Sequence, residues 1–339
     1  MGRTSPGAVD IMLMTPLTTI AWNRARGLSH HVRPEPADAN HNDRDHDEPQ
    51  LPNTFLAIPY YPGDRGIPGI DRPLGSKAVW YLCPAIVVNG VKGVNTFMRG
   101  EPTTVTVDVV NSGNGTTTAP VQVAVWWADP STGFTKLNLF GQTSVAVPTD
   151  GLPRTSPTIT GVIPNSAPAH VCLLARVSAP FDSPAPGSPI LPGDDRRWAQ
   201  LNINALAASM GQPFQFMFWA GNPFDQAADF EVIARAVEGE ALSMLSRHVR
   251  TDLVRVRHMD LRLADRRGPW TDDGQHDAKH RLVLEPGERR PIMLTGVLPD
   301  DVEPGRAAAI EILQVAPGER ESSRVVGSIG LVVTARRRG

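Results

Sequence analysis

Nine histidines and thirty-five acidic residues are the groups from which this 339-residue chain could build a metal centre or an acid–base pair. Four of the histidines, His30, His31, His41 and His46, share one stretch with Asp38, Asp43, Asp45 and Asp47. Imidazole with carboxylate suits a transition metal, but ligands on a segment with no fold to set their geometry hold it weakly. Inside that stretch DANHNDRDHDEP has some of the look of a calcium loop. Asp43 stands where such a loop needs its sharp-turn glycine, and Pro49 stands in place of the bidentate glutamate. The cluster therefore reads as a solvated tail. No metal and no cofactor is expected.

Other chemistry fares no better. Asp182, Asp194 and Asp195 flank the loop FDSPAPGSPILPGDDR, where calcium is conceivable and an ordinary polar loop is the simpler reading. The two cysteines, Cys83 and Cys172, each sit inside an apolar run. They read as buried thiols or as a disulfide between neighbouring strands, and without CxxC pairing they do not read as a zinc site. There is no G-x-S-x-G elbow, no phosphate-binding GxxxxGK[ST] and no G-x-G-x-x-G after a strand. His170 precedes a core-like strand, whereas His248 and His258 stand among arginines on what reads as a solvated face. Without a convergent acid, base and nucleophile, an enzyme is not expected. Arg247, Arg250, Arg255 and Arg257 and the terminal ARRRG are interleaved with acids in a chain of formal charge −2, so nucleic acid is not an expected partner.

The elements that would carry any site are strands. Thirty-two prolines and thirty glycines spread along the chain exclude a mainly helical protein. Residues 1–50 include a stretch at 23–50 with almost no large apolar side chain, which is expected to be disordered. The apolar residues 11–22 are preceded by Asp10, broken by Pro16 and followed by no small-x-small cleavage site, so they are not expected to act as a secretory leader. No run reaches the length of a membrane span. Residues 51–76 mix Phe55, Ile58, Tyr60 and Tyr61 with prolines, and read as an extended arm that must lie on a surface.

Regular alternation begins near Lys77. In TVTVDVV the valines 105, 107 and 109 alternate with Thr104, Thr106 and Asp108, giving one buried and one wet face. Similar runs recur every ten to fifteen residues, ending with WAQLNINAL as one strand. A second series follows from Pro213, with one helix-like stretch, ALSMLSRHVRTDL, in which positions 242, 245, 249 and 253 share a face. Both series contain the signature TGV[IL]P between strands, which points to a duplicated topology. In VQVAVWW the valines share a face with Trp127, so Trp127 is expected inside and Trp126 outside, under cover of the arm, the second domain or another subunit.

The stretch GEPTTVTVDVVNSGNGTTTAPVQVAVWW, and with it the run from about 86 to 202, resembles the CARDB/APHP class of bacterial immunoglobulin-like domains. That resemblance implies a seven-stranded sandwich found in surface, adhesion and assembly proteins, without catalysis. The expected fold is all-β: tandem immunoglobulin-like antiparallel β-sandwiches, over 77–207 and 208–335, with the extended arm before them. The expected role is structural or interactive, as a spacer or subunit of a bacterial surface or extracellular assembly. Phe55, Tyr60, Tyr61 and Trp126 are the candidate interface to a protein partner or a second copy. A carbohydrate-binding module using Trp126, Trp198, Trp219 and Trp270 is the alternative.

Overall fold

The computed structural model describes residues 50–92, 97–209, 211–249, 251–256, 258–265, 277–317 and 323–337. The histidine-rich tail, Trp270, Arg250 and Arg257 lie outside the described residues, as does all of the segment 1–50 except Gln50.

The first half is built on β1 (Leu56–Ala57), β2 (Ile86–Val88), β3 (Val91–Lys92), β4 (Pro102–Asn111), β5 (Ala119–Ala128), β6 (Asn138–Val147), β7 (Arg154–Thr155), β8 (Ile159–Val162), β9 (Cys172–Ser178) and β10 (Trp198–Leu201). One sheet centres on β4, which pairs with β1, β7 and β8 as well as with β2, and β3 follows β2. The facing sheet runs β10-β9-β5-β6. Val105, Val107 and Val109 of β4 and Val121, Val123 and Val125 of β5 are all fully buried, so alternation placed the core faces of both sheets.

The second half contains β11 (Ile203–Ser209), β12 (Pro213–Gly221), β13 (Ala228–Ala236), helix α1 (Gly239–His248), β14 (Asp260–Ala264), β15 (Ala278–Leu284), β16 (Arg289–Val297), β17 (Ala307–Pro317) and β18 (Ser323–Arg336). A sheet of order β11-β18-β17-β13-β15 faces one of order β12-β16-β14. Phe214, Phe216 and Phe218 of β12 fill the core between them. In α1, Leu242 and Leu245 face inward and the chain turns extended at Val249, so the helix stops short of the expected Leu253. Leu253 instead bridges Ala307.

The two halves repeat one pairing plan. β10-β9-β5-β6 matches β18-β17-β13-β15 strand for strand, and β4 pairs β8 as β12 pairs β16. The register of the TGV signature is also the same. Val162 lies opposite Pro102, and Val297 lies opposite Pro213. A Cβ on Gly161 would stand 2.8 Å from a ring carbon of Phe140, and one on Gly296 2.4 Å from a ring carbon of Phe214. The glycine of each signature makes room for an aromatic ring crossing the strand.

Two expectations are corrected. WAQLNINAL is not one strand: it breaks at Asn202, β10 staying in the first sandwich and β11 entering the second. The sheets are also not wholly antiparallel, because β11 runs parallel to β18. A strand that leaves one sandwich for the next finds the terminal strand β18 already committed to β17, and it joins the free side.

Candidate interaction site

The arm is held by charge. Asp64 and Arg72 form an ion pair at 3.0 Å whose side chains are 0% and 3% exposed. The guanidinium reaches both carboxylate oxygens and donates to the carbonyls of Asp71 and Ile58. Asp64 accepts further bonds from the Tyr60 and Gly66 amides, and Asp71 from the amides of Arg65 and Ile67 and from the Tyr61 hydroxyl at 2.6 Å. Buried charges persist only when paired and hydrogen-bonded in this manner. A second clip comes from the long loop before β10. Asp182 accepts from the Leu56 amide, and Arg196 bonds Asp182 and the Leu56 carbonyl while stacking over the Phe55 ring at 3.7 Å.

The candidate interface residues of the arm thus sit inside this chain's own fold. Phe55 and Tyr60 are buried and Tyr61 is half-buried. The arm adds β1 to β4, and Leu56, Ile58 and Tyr60 enter the core of the first half with Tyr61 packed against it. The Tyr60 hydroxyl accepts from the Gln200 amide, and burial pushes its pKa well above the usual phenol value. Sequence reading missed Asp64, Asp71, Arg72 and Arg196. Twin Asp-Arg dipeptides in GDRGIPGIDRP were the available signal.

Where the halves meet, Val237, Leu242, Leu245, Ala307, Ala309 and Val332 of the second half share one apolar cluster with the first-half core, and beside it runs a set of neutral polar contacts. Asn202 is fully buried at the point where the chain changes sheets. Its amide donates to the Tyr81 carbonyl, its carbonyl accepts from Gly330, and its side chain donates to the carbonyls of Ser131 and Ser328 at 2.9 and 2.8 Å. Gln200 bonds Ser328 and the Trp80 carbonyl. From the first sandwich the loop after β5 pushes in: the Thr132 amide donates to the Trp219 carbonyl, its hydroxyl meets Gln314 at 2.7 Å, and Gln314 donates to the Gly221 carbonyl. The loop sits so close that a Cβ on Gly327 would stand 1.8 Å from the Thr132 carbonyl oxygen. Asp129–Arg289, at 2.8 Å, and Asp194–Arg324 close the rim. Residues Pro49–Gly339 accordingly form one compact unit.

Both members of the tryptophan pair are half-buried, against the expectation of one inside and one outside. Opposite them β6 carries a bulge: Val125 faces Gly141 while Trp126 faces Leu139, and the extra residue, Phe140, takes core space. Trp127 packs at the margin of the first core. Trp126 lies on the other sheet face, its ring 5.3 Å from that of Trp198, with the Arg176 guanidinium over both. Its cover comes from Trp198 and Arg176 of the same sheet and from the small cluster of Ala128, Phe134, Cys172 and Leu174. Trp198 is buried. Trp219 lies under Arg289 at 4.6 Å and walls a small cleft of about 210 Å³ with Phe216, Met217, Gln215, His170 and Leu206. A wider cleft of about 540 Å³ is lined by Arg235, Glu238, Arg255, His258, Asp277 and Glu311, in which Arg235 pairs with Glu311 and Arg255 with Glu238.

The remaining chemical candidates are occupied. Asp182 is paired with Arg196 and Arg197, Asp195 with Arg197 and Asp194 with Arg324. Among the described residues no three metal-ligating side chains converge. Cys83 and Cys172 are free and buried, and burial raises both thiols, Cys83 to about 12. Burial and the nearby Arg99 lower the pKa of His170. Among the described residues no helix is long and apolar enough to cross a membrane.

No protein-family model and no curated protein matches the chain. Solved structures similar to it include a family 123 glycoside hydrolase from Clostridium perfringens, with 12% identity over 41% of this chain and 23% of that one and a TM-score of 0.26. Two bacterial adhesins are also similar. The CupB6 tip adhesin from Pseudomonas aeruginosa has 9% identity, 72% and 93% of the two chains covered and a TM-score of 0.22. The collagen adhesin from S. aureus has 9% identity, 74% and 91% covered and the same TM-score. The chain spans under a quarter of the hydrolase, and likenesses this faint carry no argument about activity.

Proposed function

We propose that this protein is a non-catalytic structural and interaction module, a rigid spacer or subunit in a bacterial surface or extracellular assembly. The observation that supports it most is the neutral polar network inside the seam. Asn202, Gln200, Thr132, Gln314 and Ser328 are buried and joined to one another or to backbone across the two halves. A module that transmits position needs a stiff joint, and a network in which the buried amide donors of Asn202 and Gln200 are all paired resists sliding, because any displacement leaves those donors unpaired. The clipped arm supports the same reading, since it ties residues 51–76 down instead of leaving a tether. Calorimetry with small-angle scattering on the full chain tests it. One unfolding transition and one fixed shape are expected. Two separate transitions, or scattering that demands many inter-sandwich angles, would overturn the spacer reading.

The carbohydrate alternative keeps one foothold, the cleft beside Trp219, where an aromatic wall meets Gln215 and His170. Glycan-array binding that is lost on Trp219→Ala, with folding intact, would favour it over the spacer reading.

A further inference from the structure

We propose that strand β6 is the docking edge for a second copy of this chain, adding antiparallel to its own counterpart about a two-fold axis at Ser144. An edge strand presents a row of free backbone donors and acceptors, and natural proteins blunt such edges with charge, proline, shortness or cover. Among the described residues, the other edge strands are short, charged, proline-bearing or covered. β1, β3 and β7 have two residues each and β8 has four. β10 is covered by residues 82 and 83, through the Leu82 bridge and the Cys83 amide. β14 carries Asp260 and Arg262, and β15 carries Lys279 and Arg281. β12 opens on Pro213 and is bonded at Trp219 by the 130–132 loop. β11 has Leu206 in the cleft it shares with Pro168, Ala169 and His170.

β6 is the longest of the edges, ten residues reading NLFGQTSVAV, without a charge or a proline. Its orientation follows from the ladder. The Val177 amide bonds toward β10, so the even-numbered residues of β9 bond β5, and the odd-numbered residues of β5 bond β6. The backbone groups of Gln142, Ser144 and Ala146 therefore point away from the sheet, and all three residues are exposed. At the other end of the strand Phe140 is closed off against Gly161.

The occupant is argued from self-complementarity. With the axis at Ser144, Gln142 meets Ala146 of the second copy and Ser144 meets Ser144, each pairing exchanging two backbone bonds. On the core-side face Thr143 meets Val145. No like charges oppose, which is the ordinary obstacle to a strand pairing with itself. The ladder ends at Pro148, which has no amide hydrogen to give. The product is a continuous eight-stranded sheet, β10-β9-β5-β6 followed by its symmetry mate. This surface is independent of the seam and of the spacer reading.

The experiment is sedimentation velocity of the full chain over a range of concentrations, with Ser144→Lys and Ser144→Glu. The wild type is expected to move from monomer to dimer mass as concentration rises. Either variant alone is expected to weaken dimerisation by about tenfold or more, because identical charges meet at the axis, and an equimolar mixture of the two is expected to restore it. Melting temperatures close to wild type would establish that the exposed substitution leaves the fold intact, and Ser144→Thr serves as the neutral control. A wild type that stays monomeric would overturn the proposal. So would a dimer indifferent to charge at position 144, or a mixture that fails to re-associate.

Discussion

The arm and the interior of the seam both carry buried polar groups, yet the first is pinned by full charges and the second by amides and hydroxyls, with ion pairs only at its rim. On the arm, Asp64 and Arg72 bring two ions out of water and hold each other with a fork of hydrogen bonds. At the seam, Asn202 offers two donors to carbonyls from different parts of the fold, with no ion to desolvate. A segment of about two dozen residues rich in proline and glycine, with only two residues in a strand, needs directional anchors to fix its path. Two sandwiches that already bury large faces need only have their rims satisfied. Breaking an anchor should therefore cost more than loosening a stitch.

The largest effect is expected from Asp64→Asn. It leaves the Arg72 guanidinium buried without a counter-charge, and the loss should be about 3–5 kcal/mol, read from urea unfolding. A loss near that of a surface charge would show that the arm peels away at little cost. Gly161→Ala and Gly296→Ala come next. The first drives a methyl against both the carbonyl oxygen and the ring of Phe140 and the second into the ring of Phe214, and losses of about 1–3 kcal/mol are expected from either half. Unequal losses would mean that the shared register of the two TGV signatures conceals different packing.

Asn202→Ala is expected to cost about 1–3 kcal/mol, leaving the Ser131 and Ser328 carbonyls without their donor. It should also broaden or split the calorimetric transition, because the two halves lose their common stitch. A sharp single transition at unchanged enthalpy would assign the coupling to the apolar contacts across the seam instead.

The contrast also marks what was legible beforehand. Alternating valines placed both core faces of the first sandwich, and the repeated TGV[IL]P predicted a repeated topology whose pairing order and register the fold displays. Local alternation reports which face is buried, and it does so without any long-range information. It could not show that WAQLNINAL changes sheets at Asn202, since an asparagine between two apolar runs looks like any strand interruption until its four partners arrive from two loops and from strand β18. Nor could it place the tryptophan pair, because the bulge that sets their depth belongs to the partner strand. Buried charge was the least visible feature: Asp64 and Arg72 look solvent-bound in a Pro/Gly-rich stretch, and only the fold makes them neighbours.

The smallest expected effect comes from His170, in the cleft beside Trp219. His170 stands edge-on to Phe216 at 6.3 Å, and its pKa is lowered by burial first and by Arg99 second. Its folded value lies below its unfolded value near 6.5, so the folded state binds fewer protons on passing downward through that pH. Above about pH 6.5 the group is neutral in both states and contributes no pH dependence. As pH falls below that value the unfolded chain gains a proton that the folded one resists, and stability declines until the folded pKa is also passed. The amides around Asn202 do not titrate, so this decline belongs to the cleft and not to the stitches. His248, at the end of α1, shifts in the same direction through burial first, then Arg247 and Lys92, and supplies a background. Urea midpoints at pH 7.5 and 5.5 for the wild type and for His170→Gln isolate the contribution: the wild type should lose more on acidification than the variant. Equal losses would mean that the His170 ring finds solvent when protonated and that the cleft beside Trp219 opens without disturbing the seam.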